Sequence, residues 1–297
     1  MEKLRRSMLF MPGNNPGMLQ DAAILGADAI ILDLEDAVSL TEKDSARILV
    51  REAIKTIDYS QVEVVVRVNP LDTEFGPHDV DVIARVKPDT LLIPKANEQQ
   101  IKLVDTMLDK IEEEEGYIAG SIKIIALIET AIGLATVYDV IKASKRVVGV
   151  LLGGEDLTAD LGIRRTKEGE EILYARNKVA TACRALKVDS IDTPFTDTND
   201  YEGLAKDTAK AKSLGLTGKS AINPRHIGII HSVFAPSEEE LKHALRVLTA
   251  MEEAEKEGKG VCSLDGKMID APVINRAKRT VDQGIRLGII RDEGGAR

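Results

Sequence analysis

Glu129 and Asp156 are the two residues of this sequence whose type and spacing point most directly to chemistry. Glu129 closes the run Lys123–Ile128, which carries a single charge, and Asp156 follows Val147–Leu152 across the glycine pair Gly153-Gly154. Short apolar runs rich in β-branched residues read as buried strands. If these two are neighbours in a parallel sheet, their carboxylates converge at its C-terminal edge and repel unless a positive charge lies between them. Mg²⁺ suits such a pair, because it takes one or two carboxylates and completes an octahedron with water and substrate oxygens. The alternative is a pair of helix caps, Glu129 for a helix over Ala131–Ala143 and Asp156 for one beginning at Leu157. The glycines would also let the backbone at Gly154 come close to an anionic ligand.

Ionisable residues close other runs too. In Asp33-Leu34-Glu35-Asp36, strand alternation puts Asp33 and Glu35 on one side, where these acids could support metal-bound waters. Helix capping or a salt bridge to a basic partner is the other reading. Arg67 lies among the five valines and Glu63 of Val62–Val68. A guanidinium there needs a partner, and a substrate carboxylate or thioester oxygen is preferred over a structural ion pair. Lys95 offers a rival chemistry, a Schiff base with a carbonyl substrate. His78, His226, His231 and His243 show no ligand spacing and read as surface or capping residues.

These residues need a frame that brings distant run ends together. Eight runs recur along the chain: Ser7–Phe10, Ala29–Leu34, Val62–Val68, Thr90–Ile93, Ile122–Ile128, Val147–Leu152, Val188–Ile191 and Leu216–Ser220. Stretches with helical spacing separate them, among them Ser39–Asp58, Glu98–Glu115 and Gly169–Leu186. The pattern predicts a (β/α)₈ TIM barrel over residues 1–235, with its site at the C-terminal strand ends. An open doubly wound sheet is the alternative, but no GxGxxG or GxxxxGK[ST] stretch supplies a nucleotide loop for it. Residues 236–297 read as a helical extension of the same domain: a long helix Ser237–Lys259, a turn Cys262–Lys267 and a helix from Pro272 to Leu287. It could cover the barrel mouth, reach a neighbouring active site, or form an outer layer. The acidic run Glu112–Glu115 reads as solvated surface.

Composition agrees with one large α/β core. The 297 residues are 43% hydrophobic with no Trp, four Phe and five Tyr, which suits aliphatic parallel strands buried on both faces. A net charge of −9 opposes a nucleic-acid backbone. Cys183 and Cys262 form neither a disulfide framework nor a zinc spacing and read as free thiols. Without an apolar run of signal-peptide or membrane-span length, the cytoplasm is the expected location.

The sequence resembles the β subunits of citrate lyase, within the wider group of malyl-CoA and citramalyl-CoA lyases. The likeness is carried by RRSMLFMPGNNPGML (5–19), GADAIILDLEDAVSLTEKDSAR (26–47), VVVRVNPLDTEFG (64–76), LIETAIG (127–133), LLGGEDLTADLG (151–162), KSAINPRHIGIIHSVFAPS (219–237) and DGKMIDAP (265–272). It implies a (β/α)₈ barrel holding Mg²⁺ through Glu129 and Asp156, with Arg67 in the substrate site. It implies cleavage of a citryl thioester into oxaloacetate and acetyl thioester, in an oligomer with an alpha subunit and an acyl carrier (gamma) subunit. Pro12 and Gly13 would then touch the carrier arm, the alternative being a tight turn alone. Asp270 caps a helix on the residue reading, whereas the resemblance implies proton transfer at the acetyl carbon, within one chain or across a subunit boundary. The alternatives to this activity are a CoA-thioester lyase or malate-synthase-like condensing enzyme acting on another keto acid, and a non-catalytic scaffold subunit.

Overall fold

The computed structural model describes residues 3–256 and 262–291. Eight strands, β1 (Ser7–Pro12), β2 (Ala29–Asp33), β3 (Glu63–Arg67), β4 (Thr90–Ile93), β5 (Lys123–Ile128), β6 (Val147–Leu152), β7 (Asp189–Asp192) and β8 (Gly218–Ala221), close into a parallel barrel in sequence order. The closing contact pairs Met8 of β1 with Ser220 of β8. The helices between and after them are α1 (Pro16–Asp21), α2 (Lys43–Thr56), α3 (Phe75–Ala84), α4 (Glu98–Glu115), α5 (Ala131–Ala135), α6 (Val137–Lys142), α7 (Gly154–Asp160), α8 (Leu173–Leu186), α9 (Tyr201–Ser213) and α10 (Ile227–Phe234). The expected strands are all present, Thr90–Ile93 and Val147–Leu152 with the expected ends and none of the others shifted by more than two residues.

Alternation along the strands divides the apolar side chains into two cores. Met8, Ile31, Val65, Leu92, Ile125, Leu127, Leu151 and Ile191 point inward and fill the barrel. The intervening residues, such as Ile30, Val66, Ile124 and Leu152, face the helical layer. One step beyond the inner apolar layer, the same alternation aims Asp33, Arg67, Glu129 and Thr193 into the C-terminal mouth.

Two sequence readings of the barrel need correction. The helix expected over Ala131–Ala143 breaks at Thr136, whose hydroxyl donates to the Ile132 carbonyl at 2.8 Å and competes with the helical ladder. Glu112 is not solvated surface: it is 1% exposed and takes a bidentate pair from Arg146, 2.8 and 2.7 Å long, at the far end of the next βα unit. Its neighbours Glu114 and Glu115 do stay at the surface, paired with Arg85.

The chain divides into two compact units, Met1–Phe234 and Ala235–Arg297. The second contains α11 (Glu238–Lys256), a hairpin of β9 (Cys262–Leu264) and β10 (Lys267–Ile269), and α12 (Ala271–Arg286) around Val247, Ile269, Ala277 and Val281. The expected turn over Cys262–Lys267 is thus the centre of an antiparallel pair. Asp265 and Gly266, both at positive φ, make the two-residue connection, an Asp-Gly signal for a hairpin. The Lys259 end expected for the long helix lies outside the described residues, as does the side chain of Cys262. Cys183 is a free, buried thiol that burial pushes up to about 12. No helix among the described residues is long and apolar enough to cross a membrane.

Candidate active site

The C-terminal mouth holds a cavity of about 440 Å³ lined by Phe10, Pro12, Asp33, Arg67, Glu129, Gly154, Asp156 and Thr193, among others. Glu129 projects from the end of β5 and is 3% exposed. The amide of Lys95 donates to its Oε1 at 2.8 Å, from a backbone held at a φ of +47°. That left-handed conformation is costly for a non-glycine residue and recurs where surrounding structure fixes a functional group. Gly153 packs against the other side of Glu129: a Cβ there would stand 2.6 Å from Glu129 Cβ and 2.8 Å from its Oε2.

Neither capping alternative holds. Thr130 caps α5, its hydroxyl accepting from the Gly133 amide. Helix α7 begins at Gly154, so Asp156 lies in its first turn as an exposed side chain rather than at the cap. Both carboxylates are therefore free of the duty that sequence alone could have assigned to them.

Arg67 is engaged by the protein itself, the alternative that sequence reasoning ranked second. Its Nε and Nη2 donate to the two oxygens of Asp33 at 2.7 and 2.6 Å, and Nη1 donates to Asp36 at 3.0 Å. Nη1 also lies 2.9 Å from Glu35 Oε2, close enough for an ion pair but not aligned for a hydrogen bond, so that buried oxygen has no hydrogen-bond partner. The guanidinium stands 5.0 Å from the Phe10 ring centroid. Burial disfavours its charge, but the hydrogen bonds and fields of Asp33, Glu35 and Asp36 outweigh that and raise its pKa. Asp33 and Glu35 do lie on one side, as alternation requires, and the basic partner is Arg67.

The acids exceed the bases in this mouth, and burial together with that excess raises two of them. Burial, then the neighbouring charges of Glu35 and Asp156, push Glu129 up to about 8 despite the Lys95 amide and Arg67. Glu35 is raised to about 7, chiefly by burial, with Arg67 opposing and Asp36 and Asp33 adding. A divalent cation would offset this excess, and an all-oxygen donor set is the kind Mg²⁺ accepts. Among the described residues no group of three or more His, Cys, Asp or Glu forms a metal cage. A cation at Glu129 and Asp156 would have to complete its coordination with water and substrate.

Other expectations resolve as follows. The Gly154 amide donates to Thr193 Oγ1 at 3.0 Å and is not free to meet an anion. Gly13 fills a tight connection, since a Cβ there would lie 2.6 Å from the Asp33 carbonyl, and Pro12 lines the cavity. The Lys95 side chain is exposed. His226 is fully buried rather than superficial, with Nε2 3.2 Å from the Thr198 carbonyl. Asp270 lies in the second unit, where its side chain accepts from the Val273 amide at 3.2 Å and caps α12.

The profile of the HpcH/HpaI aldolase/citrate lyase family matches residues 6–224. The chain belongs to that family. Its matched segment spans the barrel from the first strand through β8 and includes the whole carboxylate mouth. Among family relatives, the citrate lyase subunit beta of Leuconostoc mesenteroides subsp. cremoris is 43% identical over 294 residues, 99% of this chain and 97% of that one. The citrate lyase subunit beta of Haemophilus influenzae is 46% identical over 288 residues, 96% and 99% of the two chains. A crystal structure of protein CitE from Mycobacterium tuberculosis, in complex with magnesium, acetoacetate and coenzyme A, superposes with a TM-score of 0.79 at 29% identity, covering 94% of this chain and 98% of that one.

A larger cavity of about 760 Å³ opens at the opposite end of the barrel. Its size does not make it the family's site. There Arg5 bridges Glu63 and Asp189 at 2.7 Å each, tying strand starts together as expected of the stabilising face of such barrels.

Sequence reading missed a set of buried charges behind the mouth. Arg176 of α8, Asp192 of β7, Asp207 of α9 and Lys219 of β8 form one ion-pair cluster in which Arg176, Asp192 and Lys219 have no exposure. Asp192 and Lys219 were visible as polar run ends. Arg176 and Asp207 sit in helical stretches whose charges look like ordinary surface.

Proposed function

We propose that this chain is a Mg²⁺-dependent carbon–carbon lyase that cleaves a citryl thioester into oxaloacetate and an acetyl thioester. The observation that carries this reading is the pair of buried Glu129 and exposed Asp156 in an acid-rich mouth that lacks a complete cage among the described residues, in a chain with citrate lyase β subunits among its relatives. Glu129 and Asp156 would hold the cation, with substrate oxygens completing the shell. Bound Mg²⁺ supplies Lewis acidity that eases deprotonation of the citryl hydroxyl and orients the adjacent carboxylate.

The chain's own residues account for the rest. A carboxylate or water of the acid-rich mouth takes the hydroxyl proton, the O–H bond pair forms the ketone of oxaloacetate, the broken C–C bond pair moves onto the thioester as an enolate, and a proton delivered to the enolate carbon gives the acetyl thioester, so the step is redox-neutral. Arg67, already clamped by Asp33, Glu35 and Asp36, presents fixed positive charge toward a substrate carboxylate or the enolate oxygen. Asp33, Glu35 and Asp36 thereby hold the arginine, and through it the water and substrate around the metal. Pro12 and Gly13 border the approach of the thioester arm. Asp270 is assigned the proton transfer at the acetyl carbon.

The chain would work as one subunit of a citrate lyase complex in the cytoplasm, with an alpha subunit exchanging the acyl group and a gamma subunit carrying it. The test is release of oxaloacetate from citryl-CoA by purified protein with Mg²⁺, with and without chelator. Metal-dependent release supports the reading. No release from citryl-CoA or from other hydroxyacyl thioesters overturns it, whereas release from a malyl or citramalyl thioester alone favours a CoA-thioester lyase for another keto acid.

A further inference from the structure

We infer that Lys219 and Thr193 are positioning residues that fix the helix carrying Asp156, through a chain of hydrogen bonds running from the buried charge cluster into the mouth. Lys219 Nζ donates to Asp192 at 2.7 Å, to Asp207 at 2.6 Å and to the Thr193 carbonyl at 2.7 Å. Arg176 closes the cluster with bonds of 2.9 and 2.8 Å to Asp192 and 2.7 Å to Asp207. Thr193 then turns inward, and its hydroxyl accepts the amide of Gly154, the first residue of α7, at 3.0 Å. Two residues further along that turn is Asp156.

Each link has a physical reason. The first amides of a helix lack an internal acceptor, and the Gly154 amide is buried, so the Thr193 hydroxyl satisfies it where water does not reach. The approach is so close that a Cβ at Gly154 would stand 2.9 Å from Thr193 Oγ1. This explains the second glycine of the pair better than anion binding does. The cluster behind Thr193 sums to zero charge, but buried ion pairs stabilise little relative to apolar residues of the same volume. Placed against the strand end that bears Thr193, it instead holds that backbone in one arrangement.

The inference rests on Asp156 as a Mg²⁺ ligand, and the experiment separates the two. Lys219→Met would leave Asp192 and Asp207 facing Arg176 alone and threatens the fold, so the deciding variant is Thr193→Val, which keeps the shape and removes the acceptor. Mg²⁺ binding to wild type, Asp156→Asn, Thr193→Val and Thr193→Ser is measured by titration calorimetry without substrate, with circular dichroism to verify the fold. Affinity should fall about tenfold in Thr193→Val, the scale for loss of a group that orients a ligand, and return in Thr193→Ser. A purely structural threonine would leave affinity unchanged. Wild-type affinity in Thr193→Val alongside weakened binding in Asp156→Asn overturns the positioning role alone. Wild-type affinity in Asp156→Asn overturns the ligand assignment and this inference with it.

Discussion

Asp33 and Arg67 are direct register partners on β2 and β3, and their side chains meet as a bidentate pair of 2.7 and 2.6 Å at the lip of the barrel. Asp33 also accepts the amides of Glu35 and Ala37, at 2.9 and 3.1 Å, so one carboxylate ties the arginine to the loop that brings Glu35 and Asp36 onto it. Asp33→Asn would remove the charge and turn an N–H toward the guanidinium. Breaking one side of a buried pair should destabilise the protein by about 3 kcal/mol, read from urea unfolding. A change below about 0.5 kcal/mol would mean that Glu35 and Asp36 satisfy Arg67 without Asp33.

Glu129→Gln and Asp156→Asn should each weaken Mg²⁺ binding and turnover while the protein stays folded, because a hard cation loses an anionic oxygen. Chelation of wild type should reproduce the loss, and added Mg²⁺ should reverse it. Unchanged affinity in both variants by calorimetry would sink the ligand assignment.

Gly153→Ala tests the packing that confines Glu129. Its methyl would overlap Glu129 Cβ and Oε2, and the carboxylate must move because the strand end cannot. Turnover should fall by 10-fold or more, the scale of misplaced reacting groups. Activity equal to wild type would show that Glu129 tolerates displacement and that its geometry is not critical.

The Glu112–Arg146 pair predicts an acid limb in the stability curve. Burial alone would raise Glu112, but hydrogen bonds from Arg146 and from the Ile122 and Gly120 amides prevail and hold it at about 2. A carboxylate depressed in the fold contributes stability above its unfolded value of 4.5, and that contribution is lost as pH falls toward 2. On the order of 2 kcal/mol should disappear over this window, and Glu112→Gln should flatten it. Identical acid limbs for wild type and variant would refute the assignment.

What could be read from the chain, and what could not, follows from where the physical information sits. Strands such as Thr90–Ile93 and Val147–Leu152 announce themselves locally, since burial on both faces demands an unbroken apolar run. That Glu129 and Asp156 share one rim was legible because each follows closely on one of two neighbouring strands. The fate of Glu112 depends on Arg146, 34 positions later, and that of Asp192 on Arg176 of α8 before it and Lys219 of β8 after it. No local pattern records a partner that the fold supplies, so Glu112 looked solvated and Arg67 looked in need of a substrate.

Asp270 gives the sharpest separation of structure from chemistry. Its carboxylate caps α12 through the Val273 amide, with Ala271 and Pro272 opening the helix. Asparagine caps as well as aspartate, so Asp270→Asn should leave the melting temperature near wild type, while Asp270→Ala should cost about 1 kcal/mol. If Asp270 also moves the proton at the acetyl carbon, Asp270→Asn should slow cleavage by about 10²-fold or more, the scale of lost general acid–base catalysis, with Mg²⁺ affinity unchanged. Mixing Asp270→Asn with inactive Glu129→Gln distinguishes the source of the group. Recovered activity means that Asp270 serves the barrel of a neighbouring copy, and none rules out that arrangement. Wild-type turnover by Asp270→Asn would leave only the cap.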